Sequence, residues 1–391
     1  MTQLPPYTTS VSEESFAGKT MRVRVPDILQ TVFDKNDFDE STIQKLKQLE
    51  KSIPFEKIEA FEFFNEEDEK YWKPVLEKYK DNTWLELPFY VAEALFYRKI
   101  LEATNWHENK KDPYEKHKSE SVEKSHFLIE KTLSFTDSIL KEEYAAHQLE
   151  ELLLVDLWGN QADLCLFHDG NTPNNNEDEA REKLVANDSA SFLKIIDKGC
   201  KRVDFIIDNT GTELIGDICL AIYMLEKKKV DNIIFHVKEA PIFVSDTLVK
   251  DVYLQLEEIE KSHPDYKHLA KIFRDKIDSG DVKLIPDLFW STALAFNELP
   301  AHIKESLQNA DLIISKGDAN YRRFLQDREW DFSTPLSEVI YFFDKPVLLL
   351  RTLKSEVLAG TKPENIEKAK AVDSEWLVNG KFGVIQLHNF Q

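Results

Sequence analysis

The sequence contains little cysteine and no long apolar stretch. Its three cysteines, Cys165, Cys200 and Cys219, do not have the spacing of metal ligands, so we expect buried, reduced thiols. No run of about 18 apolar residues is present, and no basic segment followed by an apolar one opens the chain. These absences predict a soluble, cytoplasmic protein without a membrane partner, and they leave a nuclear presence open.

Basic residues are fewer than acidic residues. The chain has 50 Lys and Arg residues against 71 Asp and Glu residues, which gives a net charge of −21. Wrapping a nucleic-acid backbone needs clustered Lys and Arg, so no nucleic-acid partner is expected. A few local cations and a metal ion can nevertheless outweigh the global field at short range, so a small anionic ligand remains compatible with this composition.

The amino-terminal part, residues 1–167, is predicted to be a helical domain because strand-like runs are scarce in it. Apolar residues recur at helical spacing in four stretches, 41–53, 88–103, 122–140 and 145–160. The segment that follows, HDGNTPNNNEDEAREK (168–183), is polar and rich in Asn. It is predicted to be an exposed loop at a domain junction.

Residues 184–391 show a different rhythm, in which short apolar runs alternate with amphipathic helices. The runs are 203–207, 232–237, 282–285, 311–315, 347–350 and 383–387. This alternation predicts an α/β fold, a three-layer α/β/α domain with a largely parallel sheet covered on both faces. In such sheets, ligands bind outside the carboxyl ends of the strands.

Polar and charged residues follow several of these runs and are therefore expected to converge at one edge of the sheet. They are Asp208, Asn209, Lys238, Asp246, Lys316, Asp318, Asn320, Arg322, Arg351 and Lys354. Carboxylate and amide oxygens suit Mg²⁺ or Mn²⁺, and Lys and Arg suit a phosphate dianion. The Thr210–Gly211–Thr212 turn is expected to add backbone N–H groups. The pattern predicts a metal-plus-phosphate site.

Asp208 has three interpretations from the sequence alone. The stretch DNTGT (208–212) differs in one residue from DKTGT, the phosphorylated loop of ion-pumping ATPases, which would make Asp208 a nucleophile. These ATPases and the wider haloacid-dehalogenase-like phosphatases also use a later lysine and a downstream acidic pair that binds the metal. Lys316 could serve as that lysine, but no adjacent acidic pair follows a later strand-like run, so kinship with them is not favoured. Asp208 could also bind a metal or cap a helix, and Asp246 could cap the helix after it.

The chain resembles the metal-dependent damage-control phosphatases, a former family of unknown function. It is most similar to the eukaryotic sugar-phosphate phosphatases marked by an Arg-Thr-x-Lys motif. Matching stretches run in order along nearly the whole chain: SFAGKTMRVRVPDIL (15–29), FYVAEALFYRKI (89–100), LWGNQADL (157–164), DNTGTELIGD (208–217), FVSDT (243–247), KGDANYRR (316–323), RTLKSE (351–356) and NGKFGVIQ (379–386).

The resemblance implies a single divalent cation, Mn²⁺, Mg²⁺, Co²⁺ or Ni²⁺, held by the catalytic residues Asp208, Asn209 and Asp246. It also implies a set of substrate-binding positions, to which the strand-end pattern adds Lys316 and Arg351. The implied positions are Glu213, Asp318, Asn320 and Lys354, with Arg24 and Asn160 at further matching sites.

The resulting hypothesis is a metal-dependent phosphomonoesterase for small sugar phosphates such as fructose 1-phosphate or fructose 6-phosphate, with a damage-control role. Two alternatives stay open. One is an S-adenosylmethionine-dependent carboxyl methyltransferase, because the family includes a protein reported as such, although no Gly-rich cofactor loop follows the first strand. The other is a non-catalytic module that binds a phosphorylated metabolite. The oligomeric state is left open.

Overall fold

A seven-stranded sheet lies at the centre of the computed structural model, which describes residues 4–159 and 175–389. The strands are β1 (Leu184–Asn187), β2 (Cys200–Ile206), β3 (Val230–Lys238), β4 (Val282–Asp287), β5 (Leu312–Lys316), β6 (Val347–Thr352) and β7 (Gly383–His388). Their spatial order is β1-β7-β6-β5-β2-β3-β4. Six of the strands overlap the predicted apolar runs, and β1, a short strand of sequence LVAN, was not predicted.

The sheet is largely parallel, which confirms the prediction. The five strands β2 to β6 all run parallel to one another. Strand β7 runs antiparallel to β6, and β1 pairs in parallel with β7 at the edge. Alternate residues of β6 face different helical layers: Val347 and Leu349 belong to one hydrophobic cluster, and Leu348 and Leu350 belong to the other. Both faces of the sheet are therefore covered, as a parallel sheet requires.

The helices before the sheet are α1 (Phe16–Lys19), α2 (Val25–Lys35), α3 (Glu40–Ser52), α4 (Glu66–Tyr79), α5 (Phe89–Ala103), α6 (Trp106–Asn109), α7 (Glu115–Lys124), α8 (His126–Leu140) and α9 (Ala146–Trp158). A π-helical turn, Thr20–Arg24, joins α1 to α2. The later helices are α10 (Asn175–Glu182), α11 (Ser189–Asp197), α12 (Thr212–Glu226), α13 (Val249–Ser262), α14 (Lys267–Ser279), α15 (Ala301–Gln308), α16 (Gly317–Phe324), α17 (Leu336–Val339) and α18 (Pro363–Val372).

The amino-terminal helices do not build a core of their own. Leu95 of α5 belongs to the same hydrophobic cluster as Val347 of the sheet, and Leu153 of α9 belongs to the cluster of Leu348. Helix α9 also approaches α12 so closely that a Cβ atom at Gly216 would lie 2.9 Å from the Cα atom of Asp156. The packing thus joins the predicted helical domain to both faces of the sheet, and a separate domain ending at residue 167 stays a prediction.

The prediction of a loop over 168–183 was wrong for its second half. Asn175–Glu182 forms α10, and residues 168–174 lie outside the described part of the chain. The physical reason is local: Ala180 is fully buried, and the Arg181 guanidinium pairs with the Glu150 carboxylate of α9 at 2.7 Å. These two contacts dock a polar segment onto the protein, and composition alone did not reveal them.

The strand order reverses next to β2. The chain runs from β2 to β3 and β4 on one side and then returns to place β5 on the other side of β2. A crevice opens at such a reversal, because the connections leave the two neighbouring strands in opposite directions. The segments that follow β2 and β5, beginning at Ile207 and Gly317, therefore meet at the position where open α/β sheets bind their ligands.

Candidate active site

The candidate site is built where β2 and β5 end. Asp208 and Asn209 lie just beyond β2, and Gly317 and Asp318 open α16 directly after β5. The two segments touch: a Cβ atom at Gly317 would lie only 1.9 Å from the Asp208 carboxylate oxygen Oδ2. Gly317 also has φ of +79°, a conformation that favours glycine. Only glycine fits this approach of α16 to Asp208.

Asp246 is brought to the same place by backbone pairing. An isolated antiparallel bridge joins Asn209 to Asp246. On either side of it, the Thr210 N–H donates to the Ser245 carbonyl and the Thr247 N–H donates to the Asp208 carbonyl, both at 2.8 Å. The meeting of three oxygen-bearing side chains, predicted from distant parts of the sequence, is observed; their binding of a metal stays a prediction.

The capping interpretations do not apply. The N-cap of α12 is Gly211, with φ of +79°, and the N-cap of α13 is Leu248. Asp208 and Asp246 both precede these positions and point their carboxylates elsewhere. The expected anion-binding turn is altered as well, because the Thr210 N–H is used by Ser245 and the Gly211 N–H donates to the Gln255 side chain at 3.2 Å.

The carboxylates of Asp208 and Asp246 are buried, and their negative charges repel each other. Asp208 Oδ1 accepts no hydrogen bond from the described residues, and Asp246 Oδ2 has the Lys238 ammonium group at 3.2 Å. Burial, followed by the charge of Asp246, raises the pKa of Asp208 well above its usual value, and burial raises the pKa of Asp246 to about 6. The single ammonium group of Lys238 does not neutralise two buried, repelling carboxylates, and a hard divalent ion prefers such ligands. The donor set fits the predicted metal.

The amide of Asn209 links the neighbouring groups. Its nitrogen Nδ2 donates to Asp208 Oδ2 at 2.9 Å and to Glu213 Oε2 at 3.1 Å, and its oxygen Oδ1 accepts from the Ser245 hydroxyl at 2.6 Å. Glu213 stands in the first turn of α12, where the helix dipole favours a negative charge. The carboxylates and the amide are thus held in one hydrogen-bonded group.

A cavity of about 290 Å³ opens over this group. The predicted residues that line it are Arg24, Asp208, Asn209, Glu213, Asp246, Asp318 and Lys354. Arg24 and Lys354 are exposed, so their charged ends are accessible to a substrate. The matching position Asn160 lies outside the described residues.

Lys316 was predicted to contact phosphate, and the structure does not support this. Its ammonium group lies 2.5 Å from the Asp156 carboxylate and 3.1 Å from that of Asp217, beneath the site and fully buried. As the last residue of β5, Lys316 points its side chain toward α9 and α12 rather than toward the cavity. Strand alternation placed it on the face opposite to the one expected.

Arg351 was also predicted to contact substrate, and the structure does not support this either. All three guanidinium nitrogens are occupied: Nε by Asp318 at 2.7 Å, Nη1 by the Val357 carbonyl, and Nη2 by the carbonyl and hydroxyl of Ser355. The side chain is buried and does not line the cavity. Arg351 therefore positions Asp318. Burial alone would raise the pKa of Asp318, but the charges of Arg351 and Arg322 and the hydrogen bonds from Arg351 and Ser355 together outweigh burial, and the pKa lies below its usual value.

Asn320 also lies away from the cavity. It is fully buried, and its nitrogen Nδ2 donates to the Lys316 carbonyl at 2.9 Å, which strengthens the first turn of α16. Its oxygen Oδ1 accepts no hydrogen bond from the part of the chain that the structure describes. A direct contact with substrate is not seen in this arrangement.

Two cations near the site were predicted to lie at the strand ends but were not assigned a role in binding or catalysis. The ammonium group of Lys238, the last residue of β3, lies 3.2 Å from Asp246 Oδ2 and 4.0 Å from Asp208 Oδ1. Arg322 of α16 lines the cavity; it pairs with Glu93 at 2.5 Å and Asp327 at 2.8 Å, while its Nη2 has no partner among the described residues. Lys238 follows an apolar run and Arg322 lies in KGDANYRR, so both carried a sequence signal.

An α/β protein with buried carboxylates and several cations around a small cavity at its strand ends has the features of an enzyme that hydrolyses phosphate esters. The family model described as the Damage-control phosphatase ARMT1-like domain matches residues 20–369. The chain therefore belongs to this family. The resemblance and the prediction of a phosphatase, a hydrolase, are confirmed at that level.

Relatives match over nearly their full length. A protein named Damage-control phosphatase ARMT1 from Xenopus tropicalis is 28% identical, with 98% of this chain and 99% of that protein covered. The protein of the same name from Homo sapiens is 27% identical, with 95% and 96% covered. A solved structure of a DUF89 family protein from Pyrococcus horikoshii has a TM-score of 0.48 and 16% identity, with 95% of this chain and 96% of that chain covered.

None of the helices within the described residues is both long and apolar enough to cross a bilayer.

Proposed function

We propose that this chain hydrolyses small sugar phosphates in a metal-dependent reaction, with ketose phosphates such as fructose 1-phosphate or fructose 6-phosphate as the preferred class. The observation that carries the proposal is the meeting of Asp208, Asn209 and Asp246, two buried carboxylates and an amide, beneath a cavity that cations line. A phosphate monoester needs little more than positioning and charge neutralisation to react.

The size and charge of the cavity support a small phosphorylated substrate. Its volume of about 290 Å³ lies at the lower end of the range of about 300–1,000 Å³ for small-molecule sites. Lys354 and Arg24 provide accessible positive charge, and the unpartnered Nη2 of Arg322 offers a further donor to a phosphate oxygen. Glu213 and Asp318 are carboxylates that can accept hydrogen bonds from sugar hydroxyl groups.

A Mn²⁺, Mg²⁺, Co²⁺ or Ni²⁺ ion held by Asp208, Asn209 and Asp246 would supply Lewis-acid polarisation of the phosphoryl group. The protein side chains bind and orient the substrate. Lys354 and Arg322 neutralise the phosphate oxygens, Arg351 holds Asp318 in place, and Glu213 together with Asp318 orients the sugar. Lys238 offsets part of the charge of the two ligand carboxylates.

Asp208 serves this reaction in one of two ways, and trapping distinguishes them. If Asp208 attacks phosphorus, an acyl phosphate forms on its carboxylate, the sugar oxygen leaves and takes a proton, and water then hydrolyses the acyl phosphate. Denatured enzyme quenched during turnover would then carry hydroxylamine-labile phosphate. If Asp208 only binds metal, water attacks directly and no labile phosphate accumulates while turnover continues.

The proposal is tested by phosphate release from a panel of sugar phosphates, with and without a chelator, for the wild type and for Asp246→Ala. We expect release from ketose phosphates that chelation abolishes and that added Mn²⁺ or Co²⁺ restores. Asp246→Ala should retain less than about 1% of the activity, because it loses a metal ligand. Release that resists chelation, or full activity in Asp246→Ala, would contradict the proposal.

The same panel separates the alternatives. Sugar-phosphate binding without phosphate release in any of the four metals would indicate a binding module. Saturable S-adenosylmethionine binding with chelator-resistant methyl transfer would indicate a methyltransferase. The proposal also includes the predicted cytoplasmic location, where sugar phosphates are formed and used.

A further inference from the structure

A second group of metal-ligating side chains lies at a distance from the cavity. His126 and Glu130 stand one turn apart at the start of α8, and His263 follows the last residue of α13. Helix α13 begins close to Asp246 and spans 14 residues, which corresponds to a length of about 20 Å. The group therefore lies near the opposite end of α13 from the candidate active site.

The three side chains come within reach of one another. One ligand atom from each lies within 4.8 Å of the other two. His126 Nε2 is 3.9 Å from a Glu130 carboxylate oxygen, and the imidazole rings of His126 and His263 stack with their centroids 4.2 Å apart. Among the residues that the structure describes, no other group of three His, Cys, Asp or Glu side chains meets this distance criterion.

The buried position of His263 is independent evidence for a bound ligand. It is only 4% exposed, and its Nε2 has no hydrogen-bond partner among the described residues. A buried polar nitrogen without a partner is costly, and ligation would remove that cost. A neutral imidazole offers the lone pair of such a nitrogen to a metal ion.

We propose that His126, Glu130 and His263 bind a zinc ion that is separate from the catalytic metal and that fastens the start of α8 to the end of α13. Two imidazole nitrogens and one carboxylate oxygen are a donor set that zinc accepts, with water in the fourth position. A tetrahedral ion with bonds of about 2.0–2.2 Å needs its ligands about 3.4 Å apart. The exposed His126 and Glu130 side chains can close that difference by rotation, because the buried His263 alone is fixed.

The site has a structural role in this proposal. The α7–α8 segment and α13 are already joined near the cavity by Lys118, whose ammonium group donates to the Asp251 carboxylate at 2.7 Å and to the Asp246 carbonyl at 2.8 Å. Zinc would form a second connection between the same elements at their other ends. Its effect should therefore appear in stability, with little change in turnover.

The test measures zinc content and thermal stability of the full chain. Wild type, His126→Gln and Glu130→Gln are equilibrated with Zn²⁺, freed of excess by gel filtration and analysed for bound metal. His268→Gln is the matched control, since His268 is also a partly exposed helical histidine that pairs with an aspartate, Asp137, but stands outside the group. Both test positions are about half exposed, so their variants should fold.

Wild type and His268→Gln should bind one zinc equivalent more than His126→Gln and Glu130→Gln. At a hundredfold excess of Zn²⁺ over Kd, the extra ion should raise Tm by about 3–5 °C in the first two proteins but not in the others. Turnover of His126→Gln should stay within about twofold of the wild type. Equal zinc content and an equal Tm shift in the wild type and His126→Gln would overturn the proposal.

Discussion

Among single residues, the cations of this protein divide into those that hold other side chains and those that remain accessible. The charged groups of Arg351 and Lys316 are buried and form ion pairs with carboxylates, whereas Lys354 is exposed and lines the cavity. An ammonium group that gives up little existing pairing can bind a phosphate dianion with a net gain. Lys354 is therefore the lysine of the predicted set that is best placed for substrate.

Replacing Lys354 should weaken substrate binding without unfolding the protein. Lys354→Ala should raise KM for a sugar phosphate about tenfold to a hundredfold, because a hydrogen bond to a charged group contributes about 1.5–3 kcal/mol. Thermal unfolding should be unchanged. Lys381→Ala, which removes an exposed lysine that pairs with Asp373, is the control and should leave KM unchanged. An unchanged KM in Lys354→Ala would contradict this assignment.

The buried Asp156, Asp217 and Lys316 should make stability depend on pH. Burial raises the pKa of Asp156 to about 6, against the opposing effect of Lys316, and the pKa of Asp217 is also raised well above its usual value. A raised pKa means that the folded protein favours the protonated carboxyl. The stability that this group contributes is thus fully present below pH of about 4 and is lost as pH rises through about 6.

Asp156→Asn should remove this loss, because an amide does not ionise. Relative to the wild type, the variant should gain about 3 kcal/mol between pH of about 4 and 7, from a shift of about two pKa units. Thermal unfolding across this range measures the effect. Asp217→Asn should flatten the profile similarly, since the two carboxyls share the lysine. Parallel profiles for wild type and both variants would show that the pair does not titrate in this range.

Among the elements, the start of α16 shows most clearly how the backbone serves the site. Gly317 combines a φ of +79° with the close approach to Asp208, and the helix that it opens carries Asp318 and Arg322 into the cavity. The loop before Asp246 shows a related feature: Val244 has a φ of +67°, which is costly for a β-branched residue. Backbone conformations of this kind persist where they place functional groups.

Gly317→Ala should cost activity as well as stability. The added methyl group cannot coexist with Asp208 in its present position, so turnover should fall at least about a hundredfold. The control is Gly280→Ala at the end of α14, where φ is +84° but nothing lies within 4 Å of the new Cβ. That variant should lose about 1 kcal/mol of stability and keep its turnover. Equal turnover in the two variants would contradict the proposed contact.

For the whole molecule, much of the fold was predictable because the physics that sets it is local. Apolar runs separated by amphipathic helices indicated the parallel sheet, and the strand-end rule indicated where Asp208, Asn209 and Asp318 would meet. Strand β1 was missed because its four residues, LVAN, carry too weak a pattern. Helix α10 was missed because tertiary contacts of Ala180 and Arg181 stabilise it.

The directions of individual side chains were harder to predict. Lys316 and Arg351 lie at the carboxyl ends of the expected strands, yet Lys316 points toward Asp156 and Arg351 toward Asp318. Sequence gives the position of a residue along a strand, but the face that it occupies depends on register, and a shift of one residue reverses it. The His126–His263 pair was equally hidden, because its members come from helices that are remote in sequence.

The most direct test of the account is anomalous diffraction from crystals of the full chain equilibrated with Mn²⁺, recorded at the manganese absorption edge. We predict one strong peak at the carboxyl end of β2, within bonding distance of Asp208, Asn209 and Asp246. The peak should be lost in Asp246→Ala. Saturating Mn²⁺ without a peak between these three side chains, or a peak that persists unchanged in Asp246→Ala, would contradict it.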